Sequence, residues 1–187
     1  MNEILFIAVV VVIALWLLTT YNKFIRLGTQ AGEALADIDV QLKRRFDLIP
    51  NLIETVKGYA KHEQGTLDKV IQARNSAMQA SGGTDQKAAI AAQDMLSGTL
   101  KSLFALSENY PDLKANTNFL ELQRELSDTE NKIQASRRFY NGSVRDLNIA
   151  VDSAPSNLVA KMFGFAKKEF FDLPDGSKEA EPVKVQF

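Results

Sequence analysis

From Leu35 to Met78 apolar residues recur as Leu35, Ile38, Leu42, Ile49, Leu52, Val56, Tyr59, Leu67 and Val70. Steps of three, four and their sums put one stripe along one face of a long α-helix. The pattern predicts helix from Asn22 to Ala80, with Pro50 inside it. A proline there removes one backbone hydrogen bond and crowds the carbonyl of Phe46, so the chain either breaks, with Pro50 opening a second helix, or kinks. Leu42, Ile49 and Val56 keep phase across the proline. A hairpin turn usually loses that phase, so the reading favours one continuous helix kinked at Pro50.

Ser81-Gly82-Gly83 ends this helix, and Thr84 or Asp85 caps the next. The second helix runs from about Gln86 to Asn109 on a face of Ala88, Ala92, Met95, Thr99, Leu103, Leu106 and Tyr110, and Tyr110-Pro111-Asp112 stops it. Asn116, Thr117 and Asn118 are caps for a third helix from about Phe119 to Val151. Its stripe is Phe119, Leu122, Leu126, Thr129, Ile133, Tyr140, Val144, Leu147 and Val151. Ala154-Pro155 breaks it, Ser156 caps a short helix over Asn157 to Phe163, and Gly164 ends that helix. Residues 164–187 read as an extended, partly docked tail.

Ahead of all this, Ile4 to Leu18 is an unbroken apolar run, and no charge falls between Glu3 and Lys23. From Ile4 to Tyr21 the run covers about 27 Å of helix, near the lower limit for crossing a bilayer. Trp16 and Tyr21 lie where interfacial aromatics belong. The lone side-chain charge before the run, Glu3, is acidic and no small-x-small cleavage site follows, which argues against a cleaved signal peptide. Being apolar all round argues against a buried core helix. The chain is therefore expected to be all-α: a transmembrane anchor over 1–21, an antiparallel bundle of three to four long helices over 22–163, and the tail. Lys23 and Arg26 flank the span, so the positive-inside rule predicts the N-terminus outside and the bundle in the cytoplasm.

Helix lengths sharpen this reading. The second helix spans about 36 Å and the first, from Asn22, about 88 Å. Folded back from the glycine turn, the second helix reaches only to about Val56, leaving the stripe from Leu35 to Ile49 uncovered. Either the chain folds back at Pro50 into a four-helix bundle, or this membrane-proximal stalk packs against other copies of the chain. The second option predicts a homo-oligomer.

Charge and composition remove whole classes of function. The 22 basic and 23 acidic residues nearly cancel, so nothing points to nucleic acid. With no cysteine there is no disulfide, thiolate chemistry or Cys-based zinc site. Polar residues do sit on the apolar faces: Arg45, Glu63, Arg74 and Arg137 fall at stripe positions, and Glu130, Arg137 and Asn141 are natural partners for Arg45, His62, Glu63 and Arg74 across helices. Buried charge must pair, so these residues read as a register-setting polar network. His62-Glu63 is the sole hint of a metal site, but one histidine without Glu-x-x-His spacing is too few ligands. No nucleophile, oriented base or phosphate loop is evident, and neither enzymatic activity nor a cofactor is expected.

The motifs Asp39-Val40-Gln41-Leu42-Lys43-Arg44-Arg45-Phe46-Asp47-Leu48-Ile49-Pro50-Asn51-Leu52, Val56-Lys57-Gly58-Tyr59, His62-Glu63, Ala73-Arg74, Glu130-Asn131-Lys132-Ile133, Arg137-Arg138-Phe139-Tyr140-Asn141 and Leu147-Asn148 resemble the bacterial LemA family over essentially the whole chain. Matching motif positions are Arg44, Arg45, Asp47, Pro50, Asn51, His62, Glu63, Arg74, Glu130, Arg137, Tyr140 and Asn141. The resemblance implies a single-pass protein of the bacterial inner membrane with a bundle of long antiparallel helices and no established catalysis. Members are often encoded near HtpX-type membrane metalloproteases. Expected roles are thus a self-assembling scaffold or adaptor meeting the bilayer and an envelope protein partner, a regulatory partner of such a protease, or, least favoured, an enzyme or metal site around His62-Glu63.

Overall fold

A computed structural model describes residues 1–60, 62–83 and 85–171. Every regular element among them is a helix: α1 Asn2–Tyr59, α2 Gln64–Ser81, α3 Gln86–Ser107, α4 Pro111–Lys114, α5 Thr117–Asp152 and α6 Ser156–Phe163. The chain divides into two compact units. One joins 1–38 with 135–170, and the other is built on 39–134. Helices α1 and α5 each contribute one segment to each unit.

In the 39–134 unit, the second half of α1, then α2, α3 and the first half of α5 alternate in direction. Phe46 of α1 lies beside Arg74 of α2, and Phe104 of α3 meets Phe119 of α5 at a ring-centroid distance of 6.3 Å. This is a four-helix antiparallel bundle. Its core holds Leu42, Ile49, Leu52 and Val56 from α1, Leu67, Val70, Ala73 and Ala77 from α2, Ile90, Leu96, Leu100 and Leu103 from α3, and Phe119, Leu126 and Ile133 from α5.

Two expectations about α1 change. The helix runs unbroken through Pro50, but it stops at Tyr59, not Ala80. The reversal falls between α1 and α2, where the Glu63 amide donates to the Ala60 carbonyl at 3.2 Å and the Glu63 carbonyl opens α2 by accepting from Thr66 and Leu67. Phase survives because Val56 and Leu67 are eleven residues apart, about three helical turns, so the stripe reads continuously across a real turn. The early reversal also removes the uncovered stripe: Ile38, Leu42 and Ile49 are all buried within this one chain. Leu35 is exposed, and Ala31 and Ala34 carry the buried face there instead.

The face of α3 is corrected too. Met95 points outward at 62% exposure, while Ile90, Gln93, Leu96, Leu100 and Ser107 are buried. A buried glutamine at the centre of the true face hides it from an apolar-periodicity reading. Asp85 caps α3, its carboxylate accepting from the Ala88 amide at 3.0 Å; Thr84 lies outside the described residues. Asn116 caps α5 through the Phe119 amide at 2.9 Å. Pro111 opens the short α4, where its missing N–H is harmless.

The other unit packs Phe24 and Leu27 of α1 against Leu147 and Ala150 of α5 and Val159 and Ala160 of α6, with Trp16, Leu17 and Phe165 around them. Phe24 and Phe165 stack at 4.8 Å, and Tyr21 meets Phe163 edge-on at 4.9 Å. Ser156 does not cap α6. As its first residue, Ser156 donates instead to the Ala150 and Ser153 carbonyls, at 2.7 and 2.9 Å. Gly164 ends α6 at φ 73°, a left-handed geometry that favours glycine. The segment after it is docked on α5: Asn148 donates to the Lys168 carbonyl and accepts from its amide, both at 2.9 Å, and the Tyr140 hydroxyl donates to the Glu169 carbonyl at 3.0 Å. The tail reading from residue 172 onward lies outside the described residues. From Met1 to Leu15 the side chains of α1 are exposed and almost wholly apolar, so α1 is long and apolar enough at this end to cross a membrane.

Candidate functional site

Among the described residues the largest fully buried side chain is a charged one, Arg45, 1% exposed. Its position follows from the helix period: three residues after Leu42 and four before Ile49, it points into the bundle with them. Burying a guanidinium without partners is prohibitive, so its surroundings are polar by necessity. Nη1 donates to Glu130 Oε2 of α5 at 2.6 Å and to Ser97 Oγ of α3 at 3.0 Å, while Nη2 donates to Gln93 Oε1 of α3. Glu130 Oε1 lies 3.0 Å from Ser97 Oγ. The Gln93 amide passes the connection on, donating to Ser81 Oγ of α2 at 2.8 Å. One layer of side chains thus ties together all four helices of this unit.

Its chemistry is structural in form. Arginine stays protonated at any physiological pH, so it cannot serve as a general base. Glu130 is taken up by charge-assisted hydrogen bonds, and the Ser97 hydroxyl lies within hydrogen-bond distance of the Gln93 carbonyl and Glu130 Oε1, at 3.1 and 3.0 Å. Sliding any of the four helices by one residue would strand a buried donor or acceptor, which sets register.

Arg74, on α2, has a different task. Pro50 has no N–H, so the Phe46 carbonyl four residues earlier lacks its helical donor. Arg74 Nε supplies one at 2.8 Å. A side chain from the neighbouring helix replaces the hydrogen bond that the proline deletes, which lets α1 continue through Pro50. Sequence reasoning placed Arg74 opposite a carboxylate and missed this contact. The signal was present: an arginine on the next helix facing the residue four before a proline.

His62 is exposed in the turn after α1, and beside it Glu63 accepts from the Tyr110 hydroxyl at 3.1 Å. That hydrogen bond, with burial and the Glu63 charge, pushes the Tyr110 phenol above its usual value. Arg137 and Asn141 lie on the part of α5 that belongs to the other unit. Among the described residues no three His, Cys, Asp or Glu side chains come together as a metal set. Arg44 pairs at 3.6 Å with Glu125 on the exposed surface. Beside the polar layer, α3 and α5 leave an open groove of about 320 Å³, walled by Leu100, Phe104 and Leu126 and rimmed by Lys101, Gln123 and Asn131.

Fold and polar layer together define a class: a bundle of long antiparallel helices, continuous with an apolar N-terminal helix, whose buried charges are engaged in holding its own helices together. The chain belongs to the LemA family, whose model matches residues 34–187. It is 27% identical to the protein LemA of Metamycoplasma hominis over 165 residues, covering 88% of this chain and 72% of the relative. It is 24% identical to the magnetosome protein MamQ of Magnetospirillum gryphiswaldense, and 23% to magnetosome protein MamQ 1 of Paramagnetospirillum magneticum. Each match spans 178 residues and covers 83% of this chain but 65% of the relative. The family match begins at Ala34, so the apolar run lies ahead of it.

Proposed function

We propose that this protein is a membrane-anchored, non-catalytic adaptor or scaffold of the bacterial cell envelope. The observation that carries the reading is α1 itself. One uninterrupted helix begins as an exposed apolar span and ends in the core of the four-helix bundle, so an anchor and a rigid interaction module share a single element. Membership of the LemA family supports it, as does the absorption of Arg45, Glu130 and Arg74 into structural contacts. Lys23 and Arg26 beyond the span favour an inner-membrane protein with its bundle in the cytoplasm.

Self-assembly through the stalk loses its motive, because the stripe that called for a second copy is covered within the chain. The adaptor reading needs a bundle surface, not a partner copy. Its anchor is tested by alkaline carbonate extraction of cell membranes. The full chain is expected to stay in the pellet, and a chain starting at Asn22 to be released. Full-length protein in the soluble fraction would contradict the reading.

A further inference from the structure

We infer that α6 is a second membrane-contacting element, an interfacial helix whose outer face enters the headgroup region beside the anchor. The inference rests on the membrane-anchor reading of α1 and extends it. Helix α6 is two-faced. Val159 and Ala160 are fully buried against Phe24 and its neighbours, while Leu158 and Met162, one turn apart on the opposite side, are 62% and 67% exposed. Adjacent on an eight-residue helix, these two large side chains form a contiguous exposed apolar patch, the kind of surface that marks an interaction site.

The place where α6 docks says what covers that face. Val159 and Ala160 belong to the cluster that Trp16 and Leu17 pack against, and Phe163 meets Tyr21. Those three α1 residues are the last stretch of the apolar span before its first basic residue, Lys23. From Trp16 to Lys23 is about 10 Å of helix, the depth of a headgroup region. Anything packed there is at the boundary between hydrocarbon and water. Lys161 lies next to Met162 on the exposed side, and Lys23 and Arg26 are exposed on α1. Apolar side chains with flanking cations are the pattern that binds an anionic lipid surface. The docked segment after Gly164, held by Asn148 and Tyr140, keeps α6 in this position.

The absence of cysteine makes the test clean. Leu158→Cys, Met162→Cys and Val10→Cys are made separately in the full chain, spin-labelled and reconstituted into vesicles of phosphatidylethanolamine and phosphatidylglycerol. Collision rates with oxygen and with a water-soluble nickel chelate report depth. The oxygen-to-nickel ratio at Val10→Cys should exceed that of a free nitroxide in buffer many-fold, and at both α6 positions it should lie between the two. If Val10→Cys is deep while both α6 labels behave like the free nitroxide, α6 is a solvated helix and the inference falls with the anchor intact. If Val10→Cys itself is aqueous, the anchor reading and this inference fall together.

Discussion

The two compact units solve the same packing problem with opposite chemistry. The unit containing the start of α1 fills its centre with Phe24, Leu27, Leu147, Ala150 and Val159 and surrounds them with aromatic rings. The 39–134 unit buries an arginine and a glutamine beside a partly buried serine and glutamate. The difference reflects what each unit has to specify. Ring-on-ring contacts and close-packed alanines fix a junction of three helices by shape. Four similar antiparallel helices with leucine-rich faces admit neighbouring registers of almost equal apolar burial, and a polar layer separates them because a shifted register leaves buried groups unsatisfied.

The largest break in the comparison comes from Arg45→Ala. It should destabilise the bundle by about 3–5 kcal/mol, because it leaves Gln93 and Glu130 without their cation in a buried site. Denaturant unfolding of the full chain in detergent measures it. A loss under about 0.5 kcal/mol would mean a solvated arginine.

Next in size is the proline repair. Arg74→Met should cost about 1–3 kcal/mol by orphaning the Phe46 carbonyl. In a Pro50→Ala background the helix recovers its own donor, and the same change should cost distinctly less. Equal losses in both backgrounds would show that Arg74 acts elsewhere.

The smallest effect concerns the turn after α1. The Tyr110 phenol is raised in the folded state by its hydrogen bond to Glu63, so its contribution is fully present below the unfolded value near 10 and is lost as pH rises through the raised value. Tyr110→Phe should therefore lower the melting temperature slightly at neutral pH, with the gap closing only in strong alkali. A gap unchanged across that range would place the hydroxyl outside the folding equilibrium.

Much of this was legible in the sequence. An all-α chain, the apolar N-terminal helix, the LemA resemblance and the ends of the helices at Ser81-Gly82 and Gly164 follow from periodicity, local capping chemistry and motif. Arg45 falls on its stripe and calls for a partner across helices, and Glu130, one of those named for it, meets it at 2.6 Å. What stayed hidden depended on contacts distant in sequence or on residues that disguise a face. The turn between α1 and α2 preserves helical phase and carries no proline. Gln93 sits where a hydrophobic residue is expected. Ala31 and Ala34 bury a face on which the larger Leu35 does not lie. Arg74 finds a carbonyl that Pro50 alone makes available. Asn148 and Tyr140 hold the segment after α6 through backbone atoms that no side-chain pattern announces.

Whether the polar layer is structure and not chemistry is decided by a double-mutant cycle on Arg45 and Glu130. Arg45→Met, Glu130→Met and the double variant are compared by equilibrium unfolding. A structural layer predicts a coupling of about 1–3 kcal/mol, with the double variant losing that much less than the sum of the two single losses. Additive losses, with coupling under about 0.5 kcal/mol, would contradict it and make the buried arginine a group held ready for something other than its own fold.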